Sequence, residues 1–325
     1  MMLELLGTRI ISPYFGSGLY VWSSLITVAL VSLSLGYWLG GWLADRFPRA
    51  DCLYLLILLS GLTTALIPFV AQPVARMTMR LGLGPGALAS SFLLFSFPLL
   101  LLAMVTPYAL KLETRELNRV AVTAGRLYAI STLGSFVGTI LTGFVLIPHM
   151  GVRGMAWVLA AALWVVALVH FFVARRLLIG SLSLLLALFV TLLHPRPRLE
   201  EGVIYQTESL YGQLKVVDAG QDRYLLLDGT PQTVIDTRTG TPLLKYIHYL
   251  KFLHMLNPEA ESMLLIGLGG GSLPAHFQRY GLEIDLVEID RRMEEVARRF
   301  FGFKAKPGSL HFEDGRYYLQ HTHKK

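Results

Sequence analysis

Six long apolar runs dominate the first two-thirds of the sequence, at 19–43, 52–73, 87–109, 127–148, 154–173 and 177–193. A helix needs about 20 apolar residues to cross the hydrocarbon core of a bilayer, and in lipid every backbone polar group must be satisfied within the segment. Residues 1–194 are therefore expected to form a multi-span helical membrane region in contact with lipid. The last run is the shortest. The opening segment, "MMLELLGTRIISPYFG", does not read as a signal peptide, because Glu4 and Arg9 stand where an apolar core should run.

Charge divides along the same line. Residues 1–200 carry fourteen Lys/Arg against six Asp/Glu, whereas 201–325 carry fifteen against sixteen. The basic excess thus belongs to the loops of the apolar half. That pattern suits a cytoplasmic leaflet of anionic lipid and argues against nucleic acid as a partner. Eight basic residues (Arg46, Arg49, Lys111, Arg115, Arg119, Arg126, Arg175 and Arg176) lie on one set of loops, against Arg76, Arg80 and Arg153 on the other. The first set should face the cytoplasm. Strict alternation of six spans then conflicts with a cytoplasmic carboxy-terminal domain. A non-crossing 177–193 segment, interfacial or re-entrant, removes the conflict.

Small residues recur at helix-packing spacing. Gly36 and Gly40 form a GxxxG pair, and Ser131, Ser135 and Thr139 with Gly134 and Gly138 line the fourth span. Close helix packing is the simplest explanation. A transport path would call for ionisable groups inside the spans, and only His170, near a span end, qualifies. Cys52 is the sole cysteine, so no internal disulfide can form. The nine histidines make no HxxxH or HExxH pattern, and His321 and His323 sit in a terminal "HTHKK". No metal site is expected.

From Pro195, in "HPRPR", the composition changes, and a soluble part begins. Residues 203–235 alternate like strands: "VIYQTES", "GQLKVVD" and "RYLLLDG" are separated by turn residues, which makes 195–240 a small β-hairpin subdomain. A helical segment follows at 241–256. Then strand and helix alternate through "SMLLIGLGGG", "SLPAHFQRYG", "EIDLVEID", "RRMEEVARRFFG" and "SLHFEDG". Residues 241–325 are thus expected to form a partial doubly wound, Rossmann-like α/β domain.

In such a domain a ligand binds beyond the carboxyl ends of the strands. Gly267, Gly269, Gly270 and Gly271 allow close backbone approach, and Glu288, ending the second strand 21 residues after Gly267, is placed to take ribose hydroxyls. A dinucleotide loop carries a third glycine where this chain has Ser272. Asp314, before Gly315, suits an adenine amino group, and it equally suits a helix N-cap before "GRYYL". Together these favour an S-adenosyl-type ligand over a dinucleotide.

The motifs "ESLYGQLKVVD", "RYLLLDGTPQT", "LLIGLGGGSLP", "DLVEID" and "FEDGRYYL" occur in the order and spacing of the spermidine synthases, the polyamine aminopropyltransferases. The carboxy-terminal half resembles that family, whose domain is of methyltransferase type. "GYWLGGWLADR" is similar to the membrane part of its fused members. The resemblance implies that Gln213, Gly267, Gly269, Gly271, Glu288, Asp314 and Gly315 hold decarboxylated S-adenosylmethionine or its product methylthioadenosine. It implies aminopropyl transfer to an amine such as putrescine, in polyamine biosynthesis.

The sequence departs from that family at several points. Gly270 stands where the family keeps an aspartate. "YIHYL" (246–250) lacks the glutamate of the family's helix, leaving Asp236 as the one nearby carboxylate that could substitute. The family's catalytic aspartate follows a fourth strand, which would lie past Lys325. The chain is accordingly expected to be an inactive fragment, truncated at both ends, with the "MLLIG" strand left as an open edge that invites homo-oligomer contacts. Three other functions stay open: an adenosyl-ligand sensor, a methyltransferase on a membrane anchor, and a transporter with a regulatory tail. A bacterial-type inner membrane, with the soluble part in the cytoplasm, is the expected location.

Overall fold

The computed structural model describes residues 1–114, 116, 119–192, 201–306 and 308–322. Arg115, Pro195 and His323 lie outside them. Two compact units are present, Met1–Arg198 and Leu199–Lys325.

The first unit is helical. It comprises α1 (Met2–Phe15), α2 (Leu19–Arg46), α3 (Ala50–Met79), α4 (Leu83–Glu113), α5 (Val120–Ile140), α6 (Ile147–His149), α7 (Val152–Val173) and α8 (Leu177–Leu192). A π-helical turn, Leu141–Leu146, joins α5 to α6. Five helices are long and apolar enough to cross a membrane: Leu19–Arg46, Ala50–Met79, Leu83–Glu113, Val120–Leu146 and Val152–Val173. The sixth apolar run forms a shorter helix of 16 residues.

Backbone contact between α2 and α4 explains the GxxxG pair. A Cβ at Gly36 would lie 2.5 Å from Ala103 Cβ, and one at Gly40 would lie 2.6 Å from Met104 Cα. Gly61 of α3 meets the Trp164 ring of α7 in the same way. Ser60 Oγ adds a hydrogen bond across helices, donating to Pro98 O at 3.2 Å. The small-residue stripe on α5 behaves differently. None of the residues of α5 is buried, and a Cβ at Gly134 would meet nothing within 4 Å. At Gly138 a Cβ would lie 3.3 Å from Met2 Cγ of α1, so the stripe touches a neighbour at one end without being buried. The opening segment, polar at Glu4 and Arg9, is helical all the same, because Leu3, Leu6, Ile10, Ile11 and Phe15 fall on one face and enter the core.

Ion pairs gather the basic loops at one end. Lys111 Nζ lies 2.7 Å from Asp45 Oδ1, joining the ends of α4 and α2. Asp51, at the start of α3, receives His170 Nε2 at 3.1 Å and Arg176 Nε at 3.0 Å. The Tyr54 ring stacks on His170 with centroids 3.8 Å apart. The one histidine inside an apolar run is thus held by an acid and an aromatic ring.

The second unit opens with an antiparallel meander, β1 (Val203–Glu208), β2 (Gln213–Ala219), β3 (Asp222–Leu227) and β4 (Thr230–Asp236). Segment 241–256, expected as one helix, is split into α9 (Lys245–Leu250) and α10 (Leu253–Leu256). A parallel sheet in the order β5-β6-β7 follows, with β5 (Ser262–Ile266), α11 (Ser272–Arg279), β6 (Glu283–Val287), α12 (Arg291–Phe300), β7 (Leu310–His311) and α13 (Gly315–His321). One apolar cluster spans both sheets, with Leu214, Val216 and Leu225 from the meander against Leu268, Phe277, Ile284 and Leu286. Arg223 of β3 also donates to Phe300 O at 3.0 Å, fastening the meander to the end of α12. Among the described residues β5 pairs only with β6, and its Leu264 and Ile266 are 39% and 50% exposed.

Candidate functional site

The glycine loop, 267–271, leaves the carboxyl end of β5 and enters α11. Backbone conformation explains three of its glycines: Gly267, Gly269 and Gly271 have φ of +96°, +55° and +80°. Glu288 follows β6 directly and is buried, with 7% exposure. Its Oε2 accepts a hydrogen bond from Leu268 N at 2.8 Å, and its Oε1 accepts one from Asp290 N at 2.9 Å. The carboxylate therefore ties the glycine loop to the end of β6, and each oxygen retains a further lone pair for a ligand.

Asp314 follows β7 and caps α13, accepting from Arg316 N at 2.9 Å and Tyr317 N at 3.2 Å. Its next residue packs against the neighbouring strand end: a Cβ at Gly315 would lie 2.6 Å from Ile266 Cγ2. Glu288, Asp314 and the loop thus all stand at the carboxyl ends of parallel strands. Gln213 opens β2, where its backbone N donates to Asp228 Oδ1 at 2.9 Å. Asp236 closes a turn after β4, accepting from Arg238 N and Thr239 N at 2.8 and 2.9 Å. Those two amides, Thr239 first, hold its carboxyl below the usual carboxylate range. It is therefore a turn-forming acid whose Oδ1 is engaged by the backbone. His321 is bonded within α13, with Nδ1 2.8 Å from Tyr317 O.

Three further residues belong to this region. Asp290 N-caps α12 through Oδ1, which accepts from Arg292 N at 2.9 Å, while its Oδ2 is buried with no hydrogen-bond partner among the described residues. Tyr211, in the β1–β2 turn, has its hydroxyl pushed above the ordinary tyrosine range. Burial is the first cause, followed by the negative charges of Asp290, Asp314 and Glu288. Thr233 of β4 accepts from Gly270 N at 2.8 Å. The motif "ESLYGQ" contains Tyr211, and its aromatic ring among turn residues was the available signal. Thr233 gives no such signal, since its partner is 37 residues away.

Chemically, the loop residues 267–272 carry no ionisable side chain, and the three acids supply negative charge at its edge. Such an arrangement suits a ligand with hydroxyl donors and positive charge.

No family model matches the chain, and no solved structure matches it significantly. It is 32% identical over 152 residues to the polyamine aminopropyltransferase of Vibrio vulnificus, covering 44% of this chain and 50% of that protein. It is 28% identical over 130 residues to spermidine synthase 1 of Hyoscyamus niger, covering 38% and 40%. It is 44% identical over 63 residues to the mouse eEF1A lysine and N-terminal methyltransferase, covering 18% and 9%. The chain spans about half the length, or less, of the curated relatives it matches. Over that part it is a homologue of the spermidine synthases, the polyamine aminopropyltransferases.

Proposed function

We propose that the chain is a membrane-bound protein of the aminopropyltransferase type, whose second unit takes an adenosyl ligand at the glycine loop. Decarboxylated S-adenosylmethionine is the proposed co-substrate, methylthioadenosine its product, and putrescine the type of acceptor. Glu288 carries this proposal: a buried acid at the end of β6, bonded to the loop backbone, is what a ribose diol requires. Gln213, Gly267, Gly269, Gly271, Asp314 and Gly315 join it as proposed ligand contacts.

Aminopropyl transfer is a displacement at carbon. The amine lone pair forms the new C–N bond, the C–S bond breaks with its electrons going to sulfur, and the amine sheds a proton. Holding the two reactants in line accounts for much of the catalysis in such a step. Calorimetry with methylthioadenosine tests the site, and a transfer assay with decarboxylated S-adenosylmethionine and putrescine tests the reaction. Absence of binding by wild-type protein would remove the adenosyl proposal.

The similarity to the mouse methyltransferase favours a second candidate function, methyl transfer from intact S-adenosylmethionine. Competition between the two donors separates them: a methyltransferase should prefer the carboxylated one.

For the first unit we propose a bacterial-type inner-membrane location, with the five long helices crossing the bilayer. At 1.5 Å per residue the 16 residues of α8 span about 24 Å, short of a hydrocarbon core of about 30 Å. We take α8 as non-crossing, which leaves the second unit in the cytoplasm with its donor. The proposed division is 1–194 in the membrane, 195–240 as the hairpin subdomain and 241–325 as the Rossmann-like domain.

A further inference from the structure

We propose that Thr233 is a positioning residue that sets the glycine loop and selects glycine at position 270. The proposal deepens the adenosyl assignment and rests on it for its ligand.

Gly270 differs from its neighbours. Gly267, Gly269 and Gly271 have positive φ, and Gly270 does not. Its glycine is therefore not explained by backbone conformation. It is explained by space. A Cβ at Gly270 would lie 2.7 Å from Thr233 Cγ2, 3.0 Å from Thr233 Cβ and 3.1 Å from Thr233 Oγ1. Thr233 cannot easily yield, because it is 2% exposed and sits within β4, paired to Leu225 of β3. A β-branched side chain in a strand is also restricted at χ1.

The two branches of Thr233 do separate jobs. Its methyl fills the place of a side chain at 270. Its hydroxyl accepts Gly270 N at 2.8 Å. In a trans peptide the N–H and C=O point in opposite directions, so this bond turns the Gly269 carbonyl away from Thr233 and fixes the plane of that peptide. The remaining loop amides are bonded elsewhere. Gly267 N donates to Val287 O, Leu268 N to Glu288, and Gly271 N to Leu268 O. Among the described residues Gly269 N alone in the loop makes no hydrogen bond. Thr233 thus leaves the loop one free amide in a fixed orientation and no side chain at 270.

Four variants of the full chain in detergent test this. T233S keeps the acceptor and removes the methyl. T233V keeps the shape and removes the acceptor. G270A adds the Cβ, and G270A/T233S adds it while removing the closest contact. Amide exchange of the loop, read by mass spectrometry, and the Kd for methylthioadenosine are the two measurements.

T233S should match wild-type exchange and bind within about threefold of it. T233V should lose protection at the loop and bind about tenfold more weakly, the effect of one buried hydrogen bond. G270A should fall similarly, and G270A/T233S should recover most of the loss. Wild-type exchange and affinity in T233V, or no recovery in the double variant, would overturn the proposal. If wild-type protein fails to bind methylthioadenosine, the adenosyl assignment falls, and loop exchange in T233V against T233S still decides the role of Thr233.

Discussion

Glu288 holds the glycine loop through Leu268, whose amide lies 2.8 Å from its Oε2, while its Oε1 lies 2.9 Å from Asp290 N. One carboxylate therefore satisfies two backbone donors that would otherwise be stranded away from water. Each stranded donor costs about 1–3 kcal/mol. Glu288→Ala should lower the unfolding free energy of the second unit by about 2 kcal/mol or more and weaken methylthioadenosine binding at least tenfold. Denaturant titration and calorimetry measure the two effects. Wild-type values in both would mean that the carboxylate neither holds the loop nor meets the ligand.

Gly36 permits α2 and α4 to touch, with an added Cβ falling 2.5 Å from Ala103 Cβ and 2.6 Å from Leu100 O. Gly41, five residues on, has open space where its Cβ would go. Gly36→Val should destabilise the helical unit by about 1–3 kcal/mol, the usual cost of overpacking. Gly41→Val should be close to neutral. Thermal unfolding of the detergent-solubilised protein compares them, and equal melting of the two variants would refute the contact.

Gly36 also marks how far the sequence could be read. Its GxxxG spacing correctly indicated a packed face, yet the similar stripe at Ser131, Gly134, Ser135 and Gly138 on α5 stays unburied, and of its two glycines only Gly138 meets a neighbour, the Met2 side chain of α1. Spacing records what a face can do, and the partner is settled elsewhere in the chain. The long helices were legible because their apolar runs are long and nearly free of charge. The α1 helix was hidden by Glu4 and Arg9, although Leu3, Leu6, Ile10 and Ile11 already keep helical spacing. The strand-end positions of Glu288 and Asp314 were legible because alternating strands and helices fix them. Thr233 was not, since its contact with Gly270 depends on how the meander packs on the parallel sheet.

Asp218 gives the second unit an acid-sensitive joint. Arg223 donates to both its oxygens, from Nε at 2.7 Å and Nη2 at 2.8 Å, and holds the carboxyl below the usual range against the opposing effect of burial. A carboxyl depressed in the folded state contributes stability above its unfolded value of about 3.9 and loses it as pH falls through the lower folded value. Asp236 adds a contribution of the same sign. Unfolding midpoints should therefore drop below about pH 4, and Asp218→Asn should be less stable at pH 7 with a shallower acid decline. An unchanged acid slope in that variant would show that the pair does not couple folding to pH.

Arg176 lies 3.0 Å from Asp51 Oδ2, which places the end of α7 beside the start of α3. Lys111, 2.7 Å from Asp45 Oδ1, places the end of α4 there as well. Four long helices, α3, α4, α5 with its π-helical extension, and α7, separate Arg46 from Arg176. If each crosses the bilayer, as proposed, the even number of crossings returns the chain to the side it left. The loops gathered there carry Arg46, Arg49, Lys111, Arg119, Arg175 and Arg176, and basic loops face the cytoplasm. If α8 does not cross, a fluorescent reporter fused after Lys325 should light up in the cytoplasm, and a phosphatase fused there should be silent. Deleting 177–192 should leave both readouts unchanged. The reverse pattern in the intact chain would make α8 a sixth crossing and put the adenosyl site on the side opposite the cytoplasmic donor.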